Sequence, residues 1–235
     1  MAKYTEPTRM LMRRMVDDIP VSPGQVITRQ EVMIWFATNY PQLKPGTITA
    51  HLCRLSTNAL SRNHYSPKPG EDDLFYQLDG SHFRLYDPQN DPPPIRRVTS
   101  DGTIGAPPEE QVDEPTESEV RSFAYEADLR NFLAKNLYLL ESGLRLFEDE
   151  GIDGVEYPAG GRFIDILAID ARGGFVVLEL KVSRGYDRVV GQVRRYMGWI
   201  AKNLAEPGQP VRGFIVAREL TEDLILACSG LRDVQ

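Results

Sequence analysis

The sequence predicts an α/β protein: a mixed β-sheet flanked by helices, preceded by a small domain of three helices and a β-hairpin. Three helical periodicities and two alternating runs come first, and a pattern of helix, three strands, helix and strand comes last. An acidic, Pro-rich stretch separates them. The 235 residues, 41% of them hydrophobic, suffice for two packed domains. We therefore expect a first domain at 1–90, a linker at 91–121 and a second domain at 122–235.

Composition limits the class of protein. No run of apolar residues approaches the roughly 20 that a membrane-spanning helix needs, and the N-terminus leads into no apolar signal core. The two cysteines, Cys53 and Cys228, fit neither a disulfide framework nor a zinc pattern. We expect a cytoplasmic protein with no membrane partner.

The first domain begins with three predicted helices. Pro20 ends the first of them, and Thr28 with Glu31 forms a capping box at the start of the second. Pro45-Gly46-Thr47 opens the third. Apolar residues at helical spacing predict these helices over 8–19, 29 to about 40, and 48 to about 59.

Two short alternating runs, 74–78 and 82–86, follow these helices, and Asp79-Gly80-Ser81 joins them as a hairpin turn. Three helices and a hairpin is the order of a winged helix-turn-helix, whose third helix lies in the DNA major groove. The alternative is that this domain binds a protein. The DNA-binding interpretation predicts groove contacts from Thr47, Thr49, His51 and Arg54, with Arg62 and Lys68 near phosphates.

Residues 98–121 separate the two domains. They contain one arginine against seven acidic residues and have almost no aliphatic pattern. Such a segment cannot bury enough apolar area to offset its ordering entropy. We expect an acidic, extended tether.

The second domain begins with an amphipathic helix at 122–137. The strands that follow are predicted from runs of aliphatic residues separated by Gly-rich turns. A helix from about 187 to 204 precedes the last strand. The predicted strands start at Val155 and cover 162–170, 175–182 and 211–217.

Charged residues interrupt the central strands of this domain. Asp165 lies within an aliphatic run, and Glu179 and Lys181 interrupt the next one. Strand alternation puts Glu179 and Lys181 on one face, and the short turn pairs the strands so that Asp165 lies across from Glu179. Two carboxylates and an ammonium in a half-buried sheet cost several kcal/mol unless they are paired or bound to metal. The structural alternative is a buried Glu–Lys pair with an Asp on an edge strand.

These residues are suited to hydrolysis assisted by a metal ion. Mg²⁺ prefers hard oxygen ligands, which Asp165, Glu179 and the Leu180 carbonyl would supply. Lys181 would orient a water and stabilise developing negative charge. On the next helix, Gln192 and Tyr196 share one face. Glu126, on the first helix of this domain, would reach the metal directly or through water; its alternative is a solvated helix residue.

The sequence of residues 122–235 resembles the C-terminal nuclease domain of NucS-type (EndoMS) endonucleases, within the PD-(D/E)XK nuclease superfamily. The spacing Asp165…Glu179-Leu180-Lys181 is similar to that superfamily's signature. The resemblance implies a restriction-endonuclease-like sheet and an Mg²⁺- or Mn²⁺-dependent phosphodiesterase that cuts DNA. It also implies a location in the cytoplasm of a prokaryotic cell or on its nucleoid. The stretches that carry the resemblance are 123–130, 161–168, 177–185 and 191–199. The residues that match the family's active-site positions are Glu126, Asp165, Glu179, Lys181, Gln192 and Tyr196.

Two departures limit what is carried over from this family. Residues 1–97 do not resemble the family's β-rich N-terminal domain, so its mismatch or flap specificity does not transfer. No sliding-clamp-binding tail follows Gln235, so either the sequence is shortened there or that partner is absent.

We expect a DNA endonuclease of repair or of restriction and phage defence, targeted by the winged helix. It would act as a homodimer if it makes double-strand breaks. The rival is a DNA-binding regulator with an inactive nuclease fold. The phosphate contacts that we expect come from Arg162, Arg184, Arg188 and Arg195.

Overall fold

The structure is a computed structural model, and its residues form two compact units. The first unit contains the described residues up to Arg96 together with 147–163 and 202–204; the second contains the described parts of 98–146, 164–201 and 205–235. The domain boundaries predicted from sequence remain a prediction, but the structure groups 147–163 with the N-terminal residues. The residues that the structure describes are 4–19, 21, 24–65, 67–96, 117–182 and 188–235.

The first unit contains three helices and a three-stranded antiparallel sheet. The capping box at the start of the second helix is confirmed, because the Glu31 N–H donates to Thr28 Oγ1 and Glu31 Oε2 accepts the Thr28 N–H. The strand order is β1-β3-β2. The elements are α1 Thr8–Asp18, β1 Ile27–Thr28, α2 Arg29–Asn39, α3 Pro45–Arg54, β2 Phe75–Gln77 and β3 His82–Leu85.

The apolar faces of these helices close on the sheet. Their periodic residues are buried together with Phe75 and Phe83 of the hairpin strands. The order of three helices followed by a hairpin is confirmed, and the winged-helix interpretation that rests on it remains a prediction. The third helix begins at Pro45 and ends at Arg54, earlier than predicted, because Pro45 is well suited to the first helical position and Leu55 ends the hydrogen-bonded turns.

Residues 147–163 complete the first unit. They form a two-stranded hairpin, β5 Glu148–Asp149 with β6 Ile152–Asp153, followed by β7 Val155–Ala159. The hairpin turn is Glu150-Gly151, and both residues have positive φ, as a two-residue turn of the type I′ kind requires. Both β6 and β7 pack against α3.

The second unit is built on a mixed sheet, as predicted. Strand β9 (Phe175–Lys181) pairs antiparallel with β8 (Arg162–Ile169) and parallel with β10 (Val211–Ala217). With β4 (Arg145–Leu146) on the other side of β8, the strand order is β10-β9-β8-β4. No helix in the described part of the chain is long and apolar enough to cross a membrane. The elements are α4 Glu117–Lys135, β4 Arg145–Leu146, β8 Arg162–Ile169, β9 Phe175–Lys181, α5 Val189–Asn203, β10 Val211–Ala217 and α6 Glu222–Cys228.

Two helices cover the two faces of this sheet. Leu129 and Leu133 of α4 pack on one face. Helix α5 approaches the other face at Gly213 of β10, where a Cβ would lie 2.4 Å from Val193 Cγ1 and 3.0 Å from Met197 Sδ. Only glycine allows the helix to approach this closely. Its position determines which α5 side chains reach the polar residues of β9.

Candidate active site

The turn between β8 and β9 sets the register of the two strands. Asp170 Oδ1 accepts the N–H groups of Arg172 and Gly174, each at 2.9 Å, and Gly173 has a φ of +85°. This short turn pairs Ile169 with Phe175, and the ladder continues to Ile166 opposite Leu178. Because a slip of one residue would turn every side chain to the other face, this turn fixes which residues meet at the far end of the ladder.

At that far end the two strands bring Asp165 and Glu179 together. The register continued by one residue sets Asp165 opposite Glu179, as predicted. The strands separate there, and Asp165 Oδ2 accepts the backbone N–H of Leu180 at 2.8 Å. An acid from β8 is therefore tied to the residue between Glu179 and Lys181.

Strand alternation determines the surroundings of Glu179. Leu178 and Leu180 point into the apolar core on the α4 side of the sheet. Glu179 lies on the other face, where it is only 6% exposed. Its Oε2 accepts no hydrogen bond from any residue that the structure describes. A buried carboxylate oxygen without a donor is costly, so this atom is a position where a cation would be stabilised.

The two acids make each other harder to ionise. Burial, and next the charge of Asp165, raises the pKa of Glu179 to about 9, against the opposing effects of Lys181 and Arg195. Burial also raises the pKa of Asp165, although the Leu180 N–H and Arg130 oppose this shift. The site therefore resists a second negative charge until a positive charge arrives.

Helix α4 contributes two charged residues, one turn apart, to the same place. Glu126 Oε1 accepts the N–H of Val182 at 3.1 Å and lies 3.9 Å from Lys181 Nζ. Arg130 Nη1 lies 3.5 Å from Asp165 Oδ1. Glu126 is therefore not a solvated helix residue, and it contacts the ammonium of Lys181. Arg130 was not among the predicted site residues; its position four residues after Glu126 is the signal that could have found it.

Helix α5 contributes Tyr196, which is 2% exposed and whose side chain hydrogen-bonds with that of Gln192. Burial, and next the charge of Glu179, raises the pKa of Tyr196. The Arg195 guanidinium lies 4.5 Å from the centre of the Tyr196 ring. Gln192 and Tyr196 share a helix face, as predicted, and this face is directed toward Glu179.

The donor set fits a hard divalent cation. Asp165 and Glu179 supply carboxylate oxygens, and Glu179 Oε2 is the buried oxygen described above. Mg²⁺ is commonly held by one or two carboxylates while it keeps several waters. Within the described residues, no group of three or more His, Cys, Asp or Glu side chains could hold a metal. Glu126, which contacts Lys181, and the Leu180 carbonyl remain predicted contributors to this site.

The basic residues predicted to bind phosphate lie in different places. Arg188 and Arg195 are exposed at the start and in the middle of the α5 region. Arg162 is exposed and belongs to the first unit. Arg184 lies outside the described residues.

The predicted groove-facing residues of α3 are buried, which corrects their assignment. Thr47, Thr49, His51 and Arg54 all lie inside the first unit. The reason is that residues 147–163 pack over this face of α3. Arg54 bonds to Asp72 at 2.9 Å and to the carbonyl of Gly151 at 3.0 Å.

The two residues expected near phosphates, Arg62 and Lys68, differ in their exposure to solvent. Arg62 is fully buried and pairs with Asp73. Lys68 has a side chain that is 58% exposed and lies 3.6 Å from Glu71. Of the six residues between Thr47 and Lys68 that were predicted to bind DNA, only Lys68 is exposed.

Comparisons with known proteins divide the chain in two. Residues 7–85 match a family model described as a domain of unknown function (DUF7669). Residues 125–230 match the model of the endonuclease NucS C-terminal domain. The resemblance of the C-terminal region to NucS-type endonucleases is thereby confirmed.

Curated relatives are similar over the same region. Endonuclease NucS of Pyrococcus furiosus is 33% identical over 98 residues, which are 41% of this chain and 33% of the relative. That of Methanopyrus kandleri is 32% identical over 100 residues, 43% of this chain and 35% of the relative. Endonuclease NucS of Kocuria rhizophila is 37% identical over 95 residues, which are 40% of this chain and 37% of the relative. The chain spans about a third of the length of these relatives.

Solved structures also align with part of the chain. A repair endonuclease from Pyrococcus abyssi aligns with a TM-score of 0.39 and 26% identity, over 54% of this chain and 47% of that one. A structure described as an EndoMS–dsDNA complex aligns with a TM-score of 0.37 and 28% identity, over 45% of this chain and 40% of that one.

Proposed function

We propose that this protein is a DNA endonuclease that hydrolyses phosphodiester bonds with Mg²⁺ or Mn²⁺. The observation that carries the proposal is the meeting of Asp165, Glu179 and Lys181 at the end of two paired strands. It lies within the region that matches the NucS C-terminal domain. A purely structural Glu–Lys pair explains neither the buried oxygen of Glu179 nor the second acid beside it.

Asp165 and Glu179, with the Leu180 carbonyl, would hold the divalent cation. When bound, the ion supplies Lewis-acid chemistry: it lowers the pKa of a bound water and neutralises charge on the phosphate. Lys181 brings a second positive charge beside the acids, where it stabilises negative charge that develops on the phosphate. Glu126 holds the Lys181 ammonium from the α4 side.

Tyr196 and Gln192 form the α5 side of the site. Because burial raises the pKa of Tyr196, its phenol keeps its proton at neutral pH and acts as a hydrogen-bond donor. The Gln192 side chain holds the phenol in place. A donor of this kind suits a phosphate oxygen of the substrate.

DNA as the substrate is supported by the exposed arginines of α5 and by the class of enzyme that the relatives represent. We propose that Arg188 and Arg195 contact phosphates that flank the cut, with Arg162 and Arg184 as further contacts. The role in DNA repair or in restriction and defence, the homodimer and the targeting by the first unit belong to the same proposal. The order of three helices and a hairpin supports targeting, but the burial of α3 requires another surface for it.

The second candidate function is a DNA-binding regulator that uses an inactive nuclease fold. The coarse similarity to NucS relatives would be compatible with it. The observation against it is that both acids and the lysine are retained and meet in one place. An inactive fold has no need for a buried carboxylate oxygen without a donor.

A plasmid-nicking assay separates the two candidates. Wild type should relax supercoiled plasmid with Mg²⁺ or Mn²⁺ and not with EDTA. Asp165→Ala and Lys181→Ala should each lower the rate at least about 100-fold. Lys135→Ala, an exposed lysine on α4, serves as the matched control and should retain the wild-type rate. Equal rates in all four proteins would refute the site, and duplex binding without cleavage in any of them would favour the regulator.

A further inference from the structure

Among the charged residues that the structure describes near the acids, Arg130 has no role yet in the proposed mechanism. It lies on α4, one turn after Glu126, with its Nη1 atom 3.5 Å from Asp165 Oδ1. The exposed fractions of the two side chains are 15% and 23%, so water screens this pair less than a surface ion pair. At this distance the attraction is mainly between charges.

The contacts of Asp165 come from two different elements. Its Oδ2 atom accepts the N–H of Leu180 from β9, and its Oδ1 atom faces Arg130 from α4. A carboxylate held at each oxygen by a different element cannot rotate freely about its last bond. Asp165 is therefore held in one orientation before any ligand binds.

A purely structural role does not account for Arg130. Leu129 and Leu133 already pack α4 onto the sheet, so the helix does not need an ion pair to stay there. Partial burial of a guanidinium costs desolvation energy, and an ion pair of this kind often returns little net stability. The contact is therefore better explained by its effect on Asp165.

We propose that Arg130 is a positioning residue that holds Asp165 in the orientation in which this carboxylate binds the divalent cation. The inference rests on the proposed function, because it assigns Asp165 to that cation. Groups that orient a metal ligand typically change metal affinity or activity about 10- to 100-fold when they are removed. Arg130 itself contacts neither the cation nor the substrate in this proposal.

Metal binding without DNA is the first measurement. Calorimetric titration of the full chain with Mn²⁺ should show about 10-fold weaker binding in Arg130→Met than in wild type. Arg130→Lys retains the positive charge and should recover affinity to within a few-fold. Lys135→Met removes an exposed charge from the same helix and should bind as wild type does. In cleavage at saturating Mn²⁺, Arg130→Met should lower kcat and leave KM for DNA unchanged.

DNA affinity separates positioning from direct phosphate binding. In EDTA, the double variant Asp165→Ala with Arg130→Met should bind duplex DNA as tightly as Asp165→Ala alone. A loss of DNA affinity of about 10-fold in the double variant would overturn the positioning role. So would wild-type Mn²⁺ affinity in Arg130→Met. In both cases cleavage by wild type leaves the proposed function standing, whereas a wild type that neither binds Mn²⁺ nor cleaves DNA overturns both.

Discussion

Leu180 donates its backbone N–H to Asp165 Oδ2 at 2.8 Å, which makes the residue between Glu179 and Lys181 part of the site. Its side chain is buried in the core on the opposite face of the sheet, next to Leu178. The backbone of one residue thus orients an acid from the neighbouring strand while its side chain fixes the strand. Strand alternation puts Glu179 and Lys181 on one face because one residue lies between them. The backbone N–H of that residue, Leu180, also donates to Asp165.

The raised pKa of Glu179 predicts that this residue destabilises the metal-free protein. Glu179→Gln removes the ionisable group and should raise the free energy of unfolding at pH 8 by about 1–2 kcal/mol, or a few degrees in Tm. The same variant should lose cleavage activity. Thermal unfolding in EDTA measures the first effect, with Glu219→Gln, an exposed glutamate, as the control. A lower Tm in Glu179→Gln would contradict the prediction.

The stability gain should depend on pH in a defined direction. Below about pH 4.5 Glu179 is protonated in both the folded and the unfolded chain, so it contributes no difference. Between about 4.5 and 9 the unfolded chain releases a proton that the folded protein keeps, so wild type loses stability as pH rises. The difference in Tm between Glu179→Gln and wild type should therefore grow from pH 5 to pH 8. Added Mg²⁺ should reduce it, because the ion binds the folded wild type.

The contact of α5 with Gly213 predicts a large effect from a small substitution. In Gly213→Ala the new Cβ would clash with Val193 Cγ1, so the Val193 side chain or the helix must shift. We expect a loss of about 1–3 kcal/mol in the free energy of unfolding, measured with denaturant. Gly198→Ala is the matched control, because its new Cβ would meet no atom within 4 Å beyond the neighbouring residues and backbone of its own helix. That control should be neutral or stabilising by up to about 1 kcal/mol, as expected for alanine in a helix. Equal losses in both variants would contradict the packing argument.

Local sequence patterns predicted the central strands of the second unit well, because these strands are joined by a short turn and pair with each other. The aliphatic runs and the turn that Gly173 allows determine β8, β9 and their register, so the meeting of Asp165 with Glu179 could be predicted. Arg130 was missed because its position one turn after Glu126 does not identify Asp165 as its partner. Its contact with Asp165 joins residues 35 positions apart.

Long-range packing explains the failure in the first unit. A helix with Thr47, His51 and Arg54 on one face has the polar pattern of an exposed surface. Nothing near α3 in sequence indicates that 147–163 covers this face. Once it is covered, Arg54 is satisfied by Asp72 and by backbone carbonyls instead of by solvent. The polar residues of that face are consequently part of the interior.

The burial of Arg54 predicts a stability defect instead of a DNA-binding defect. Arg54→Met leaves Asp72 without its guanidinium partner inside the unit, which should cost about 3–5 kcal/mol. Lys68→Met, at an exposed lysine of the same unit, should change the free energy of unfolding by no more than about 0.5 kcal/mol. DNA affinity of Arg54→Met, measured at a temperature where it is folded, should equal that of wild type. Wild-type stability with a specific loss of DNA binding would instead restore the groove-facing assignment.

Two adjacent arginines of α5 allow a test of phosphate contact with equal changes in charge. Arg195 is exposed, with its guanidinium over the ring of Tyr196, whereas Arg194 pairs with Asp233 at 2.8 Å. If Arg195 contacts a phosphate, Arg195→Ala should reduce the slope of log affinity against log salt by about one. Arg194→Ala should leave this slope as in wild type, since its guanidinium is already engaged.

Duplex binding in EDTA over a series of salt concentrations measures both slopes without cleavage. The comparison isolates contact from net charge, because each variant removes one positive charge from the same helix. At ionic strengths of about 0.1–0.15 M, salt screens charges over roughly 8–10 Å, so an arginine that does not contact DNA contributes little to the salt dependence of binding. Identical reductions in slope for the two variants would show that α5 attracts DNA only through its overall charge, and would remove Arg195 from the phosphate contacts.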